Sequence, residues 1–151
     1  MYTMPFLKYT NVIKFYFNQF CRYRFSFDGG VGSNVPYNDC PVTTTGMNNH
    51  TGIFTCQEKG TWYFSFTGVV GLKKADNYGL EIAKNNKVQL SETYARDYGQ
   101  KITNKTLLVS VATSVVAELQ GGDTISVRVK YKGGASFLSG ADGTTFVCIK
   151  L

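Results

Sequence analysis

Strict alternation is the feature that most limits what this chain can fold into. In residues 124–131, TISVRVKY, Ile125, Val127, Val129 and Tyr131 fall on one side of an extended backbone and are expected inward, with Ser126, Arg128 and Lys130 outward. Successive side chains of a strand point to opposite faces, so the pattern describes a half-buried strand. Residues 106–119, TLLVSVATSVVAEL, repeat it over a longer reach, with Leu107, Val109, Val111, Val115 and Leu119 opposite Ser110, Ala112, Ser114 and Glu118. Between the two, Gly121-Gly122-Asp123 turns the chain.

The same reading extends over most of residues 51–151. GIFTC is a first short strand, and Gly60 opens the next, TWYFSFTGVV. There Trp62, Phe64 and Phe66 share one face, and Tyr63, Ser65 and Thr67 share the other. YGLEIAKNNKVQLSETY reads as a hairpin whose turn is Asn85-Asn86, because Asn tolerates the left-handed conformation. GGASFLSGADG is a loop with a brief pairing at residues 136–138, and TTFVCIKL is a final strand. Short strands at this spacing, separated by Gly-rich turns, predict an all-β sandwich.

A chain of 151 residues suits one domain with a substantial core. Charged residues make up only 17%, and half of the net charge of +6 comes from Lys8, Lys14, Arg22 and Arg24 against Asp28. The body is therefore mildly basic, without the dense Lys/Arg stripe of a nucleic-acid binder. No run of about 20 apolar residues is present, so no membrane-spanning helix is expected. Residues 1–24 stand apart as an N-terminal arm of uncertain structure, with residues 25–151 as the domain. In the arm Phe6, Tyr9, Ile13, Tyr16, Phe17 and Phe20 recur at helix-like spacing, although their β-branched and aromatic company suits a strand almost as well. Lys8 and Lys14 interrupt what a secretory leader would keep apolar.

Catalysis finds little support. His50 is the sole histidine, so any Ser-His-Asp or Cys-His site must use it, yet it sits at a turn with no orienting carboxylate in reach of the pattern. Glu81, Glu92, Asp97 and Asp123 are scattered over strands and loops, and no enzyme activity is expected. Gly29-Gly30-Val31-Gly32 lacks the flanking strand and helix of a phosphate cradle and reads as a loop. Trp62 belongs to the core rather than to a ligand platform. Cys21, Cys40, Cys56 and Cys148 permit two disulfides in three connectivities, and they lack zinc-site spacing. Buried free thiols with at most one bridge is the simpler alternative. Asn49-His50-Thr51 and Asn104-Lys105-Thr106 are glycosylation acceptor patterns at Asn49 and Asn104.

Taken together, the motifs from residue 35 onward resemble the globular head of the complement C1q family. The family pattern YN-x-x-TG-x-F-T/S-C-x-x-x-G-x-Y-x-F-x-F is matched by Asn48-Asn49-His50-Thr51-Gly52-Ile53-Phe54-Thr55-Cys56 and then Gly60-Thr61-Trp62-Tyr63-Phe64-Ser65-Phe66. SVVAELQGGDTISVRV is similar to L-x-L-x-x-GD-x-V-x-L-x-V, and GADGTTFVCIKL to a closing STFSGFLL. The chain departs from that ending at Cys148, where the family has Gly, and at Ile149, where it has Phe.

The resemblance implies a ten-strand jelly-roll sandwich of the C1q/TNF type that forms a homotrimer, is secreted, and often follows an upstream collagen stalk. The resulting expectation is a trimeric recognition module of the innate-immunity type, binding a protein or a microbial-surface or anionic ligand. The alternatives are a cytokine-like signalling ligand and, more distantly, a matrix jelly roll. Tyr63 and Ser65 are expected at the contact between subunits, because their face is too apolar and small for free exposure. Lys73, Lys74, Arg96, Tyr98, Lys101 and Lys132 lie in or beside loops and suit anionic partners. No organic cofactor is implied. Some family members hold calcium, which makes it a candidate ion, but no calcium motif links Asp76, Asp97, Asp123 and Asp142.

Overall fold

The computed structural model describes residues 19–23, 26–43, 46–73, 76–97, 106–140 and 143–151. These residues form strands and no helix. In chain order the strands are β1 (Gln19–Tyr23), β2 (Asp39–Thr43), β3 (Met47–Asn48), β4 (Ile53–Thr55), β5 (Gly60–Leu72), β6 (Asn77–Lys84), β7 (Val88–Arg96), β8 (Leu107–Leu119), β9 (Thr124–Lys132), β10 (Phe137–Ser139) and β11 (Thr144–Lys150). All pairings are antiparallel. One sheet runs β10-β5-β11-β1-β2, with β8 paired along the whole of β5, and the other runs β3-β4-β9-β6-β7. The described strands number eleven against the ten expected, because the two-residue β3 is a pairing too short to leave a periodic trace.

The core lies between the sheets, and β5 supplies its centre. Trp62, Phe64 and Phe66 are buried from one sheet, and Leu80, Ile82, Val127 and Val129 from the other. Phe54 meets Trp62 with ring centroids 5.1 Å apart, and Tyr37 stacks on Phe146 at 5.7 Å. Cys148 faces the same interior and is wholly buried as a free thiol, so the departure from glycine is accommodated by packing rather than by a bond. Burial pushes its ionisation well above the usual thiol range, with the effect of keeping it inert.

The turns follow their residue chemistry. Asn85 and Asn86 have φ of 53° and 56°, the left-handed geometry expected of them. At the β8–β9 turn the Asp123 carboxylate accepts from the Gln120 amide at 2.8 Å and from Asn85 Nδ2 at 3.0 Å, which holds its pKa below the usual carboxylate range. Gly52 has φ of +70°, and a Cβ there would lie 1.8 Å from the Val35 carbonyl oxygen, so the turn before β4 admits no other residue.

One expectation is corrected. Tyr131 is 48% exposed rather than inward. The register of β9 against β6 shifts between Gly79 and Leu80: Val129 opposes Leu80, but Tyr131 opposes Gly79, leaving Lys130 as the extra residue. Such a bulge inverts the alternation beyond it and turns Tyr131 to the outer face. Of the helix and strand readings open for the arm, Phe20 takes the strand, in β1, which is inserted between β11 and β2. Residues 19–23 of the arm are thus part of the first sheet, while Phe6, Tyr9, Ile13, Tyr16 and Phe17 lie outside the described residues.

Cys21 and Cys40 form a disulfide between β1 and β2, across a sequence separation of 19. Of the open connectivities the structure therefore holds one bridge, with Cys56 and Cys148 free and buried. A loop of this length restricts the unfolded chain, and replacing both cysteines by Ala should lower stability by about 3 kcal/mol. The urea midpoint of the double variant checks this, and an unchanged midpoint would show that the bridge adds nothing.

Candidate functional site

Three of the basic residues singled out from the sequence come to the same end of the sandwich. β5 ends at Leu72, and Lys73 follows it exposed. Arg96 closes β7 opposite Asn77, and Lys132 closes β9 opposite Tyr78, so the two flank the start of β6. Asp76 organises this end. Its carboxylate accepts from the Lys73 amide at 3.1 Å, and its carbonyl accepts from the Asp97 amide at 3.0 Å. Lys132 Nζ donates to the Asp28 carbonyl, which ties it to the loop before β2. Lys73 and Arg96 are thus the more exposed members, while Lys74, Tyr98 and Lys101 lie outside the described residues.

Below this end, the outer face of the second sheet carries a feature that alternation alone had hidden. Tyr94 and Tyr131 sit on the strands either side of β6, both paired with Gly79. Tyr94 is 59% exposed. Around them a cleft of about 300 Å³ is lined by Asn77, Tyr78, Glu92, Tyr94, Arg96 and Tyr131. Lys130 bonds Glu92 at 2.5 Å and lies 5.2 Å from the centre of the Tyr131 ring. The Glu92 carboxylate raises the Lys130 pKa, so its charge persists across ordinary pH. The signal for this site in the sequence is Gly79 inside a strand, between the buried Tyr78 and Leu80, which marks a place where something approaches the backbone closely.

The outer face of the first sheet is of the opposite character. Tyr63 and Ser65 point outward and are half-buried, as the alternation of β5 requires. Tyr63 lies between Val116 of β8 and Ile149 of β11, and Ser65 between Ser114 and Val147. Val116 and Leu108 on this face are 56% and 60% exposed. Thr67 and Thr145 bond to each other at 2.6 Å. Among the described residues, charge on this face lies at the margins: Glu118 accepts from Thr61 at one end, and Arg22 pairs with Asp39 at the other.

The remaining candidates are not brought together. His50 is exposed, and its described bond is a backbone one, from its amide to Asn48 Oδ1 at 3.1 Å. The Cys56 thiol is buried and donates to the Glu58 carbonyl at 3.1 Å, with burial raising its pKa. Trp62 is 5% exposed, in the core as expected. Asp76 and Asp97 are buried at strand ends, Asp123 belongs to its own turn, and Asp142 lies outside the described residues. Among the described residues no group of three metal-ligating side chains converges. Asn49 lies in the turn between β3 and β4, and Asn104 is outside the described residues.

Known proteins bear on this arrangement at the level of family and fold. The family model of the C1q domain matches residues 33–147. No curated protein sequence matches the chain. Among solved structures, the globular domain of zebrafish complement 1qA is 15% identical, with a TM-score of 0.66 over 88% of this chain and 95% of that one. The Eiger TNF of S. frugiperda is 12% identical, with a TM-score of 0.70 over 90% and 92%. Murine APRIL is 14% identical, with a TM-score of 0.66 over 90% and 99%. At these identities the likeness is one of fold, a jelly roll common to C1q heads and TNF-type proteins. The family model covers most of the chain, and its matched span contains both sheets' central strands, so this protein belongs to the C1q domain family.

Proposed function

We propose that the chain is a secreted, non-enzymatic recognition module that acts as a homotrimer and binds protein or anionic microbial-surface ligands at its basic loop end. One observation carries the assembly: the outer face of the first sheet is apolar and almost without charge around Tyr63 and Ser65. An exposed apolar sheet face of this kind is a liability for a monomer and a contact for a symmetric oligomer. Lys73 and Arg96 stand at one end of a rigid sandwich, where charge of one sign attracts ligands of the other. Three such ends in one assembly would turn weak contacts into useful avidity. The Cys21–Cys40 disulfide supports an oxidising, extracellular setting, and the turn at Asn49 is a proposed glycan acceptor in it.

Light scattering tests the assembly. A mass near three times 16.7 kDa at micromolar concentration is expected, and a monodisperse monomer would overturn it. The ligand class is tested on the trimer with an array of acidic glycans, acidic phospholipid and bacterial surfaces, with and without EDTA to expose any calcium requirement. Binding should weaken with salt and in Lys73→Glu. Tight binding to a cell-surface receptor with none to the array would transfer the reading to a cytokine-like ligand.

A further inference from the structure

We infer that the Tyr94–Gly79–Tyr131 cleft is a binding site for an uncharged pyranose sugar, at the non-reducing end of a glycan or as a free monosaccharide. The inference deepens the recognition reading and rests on it for the existence of a surface ligand, but it places this ligand on a sheet face rather than on the loops. Three observations carry it. The first is geometric. Gly79 is paired directly with both tyrosines, so three neighbouring strands present Tyr, Gly and Tyr in one row. A Cβ at Gly79 would lie 2.6 Å from Tyr131 Cδ2, so the missing side chain is what lets the ring lie over the strand. The second is exposure. Two large rings remain 59% (Tyr94) and 48% (Tyr131) exposed on a sheet whose other face is packed, and Tyr combines a rigid apolar surface with a polar tip. The cleft of about 300 Å³ stands at the low end of small-ligand sites, too small for a peptide helix.

The third is the polar rim, which selects among ligands. A cation is disfavoured because Lys130 already occupies the corner between Glu92 and the Tyr131 ring. On the same rim the Glu92 carboxylate stands between Lys130 and Arg96, so an anion meets no cation unopposed by a carboxylate. Arg96 and Asn77 add donors, and Glu92 and Asn77 add acceptors, so both halves of a hydroxyl can be met. An apolar ring face flanked by hydroxyls is the chemistry of a pyranose. The site also stays open in the proposed trimer, since it lies on the outer face of the second sheet and the Tyr63 surface on that of the first.

Amide NMR titration of the full chain with the methyl glycosides of glucose, mannose, galactose and N-acetylglucosamine tests this. At least one should give saturable shifts at Asn77, Gly79, Tyr94 and Tyr131 in the millimolar range. Tyr94→Ala should weaken that binding at least tenfold, and Gly79→Ala, by displacing the Tyr131 ring, should do the same. Both variants are judged only if resonances of core residues such as Phe64 are unmoved, and Tyr94→Phe serves as the conservative partner that keeps binding. Choline and inorganic phosphate complete the panel. No saturable shift with any glycoside, a stronger response to choline or phosphate, or sugar shifts indifferent to Tyr94→Ala would each overturn the inference. Light scattering on the same sample separates the readings: a trimer that ignores sugars sinks the cleft alone, whereas a monomer that binds them sinks the assembly alone.

Discussion

Phe64→Ala should cost this protein about 3–5 kcal/mol of unfolding free energy, which is a large part of the roughly 5–15 kcal/mol that holds a domain together. Phe64 is wholly buried and at the centre of an aromatic cluster, with Phe54 at 5.8 Å, Phe146 at 6.1 Å and Trp62 at 6.4 Å between ring centroids. Its backbone is fixed on both sides, opposite Val115 of β8 and Cys148 of β11. The strands around the vacated volume are therefore held by their ladders and collapse little, which is the circumstance in which a cavity is most costly. A denaturant titration reads the effect as a lower midpoint at unchanged slope. A loss below about 1 kcal/mol, the centre of ordinary point substitutions, would mean that the two sheets close over the gap.

Tyr63→Glu should reduce the proposed trimer to a monomer. The neighbouring residue in sequence, it has the opposite consequence, because it projects from the other face of β5, between Val116 and Ile149. A carboxylate there would have to be stripped of water without a partner in every copy, a cost that association does not recover. The free protomer should keep its fold, since the site is an outward one. Light scattering should give about 16.7 kDa for Tyr63→Glu and the parent mass for Tyr63→Phe. An unchanged mass for the charged variant would place the contact elsewhere, even in a protein that does trimerise.

What could be read from the residues, and what could not, divides on locality. The faces of β5 and β8 were legible because a strand without a bulge obeys one parity from end to end, as Leu107 to Leu119 do. The hairpin turn was legible because Asn85 and Asn86 carry their own conformational preference. Tyr131 was not, because its direction is decided by a register shift against Gly79, 52 residues earlier in a different strand. β1, β2 and β3 are likewise made by partners rather than by pattern: Gln19–Tyr23 and Asp39–Thr43 are short, and neither alternates cleanly. The Cys21–Cys40 pairing depends on those strands lying side by side, which no spacing rule announces. The candidate site shows the same division. Lys73, Arg96 and Lys132 could be chosen as loop cations, but that they gather at one end follows from pairings over many residues. The cleft between Tyr94 and Tyr131 was overlooked because it needs three strands and a bulge at once.

The place of β11 in the first sheet sets an order on how the fold can close. It lies between β5 and β1, paired with both, although more than a hundred residues separate β1 from it in sequence. Until Thr144–Lys150 are seated, β1 and β2 have no sheet to join and the central edge of β5 is open. The hairpin of β6 and β7 and the β5–β8 ladder rest on shorter separations and can form first, but the sandwich cannot close without the long-range pairing. A partly folded chain therefore exposes an unpaired strand edge through which neighbouring copies can join.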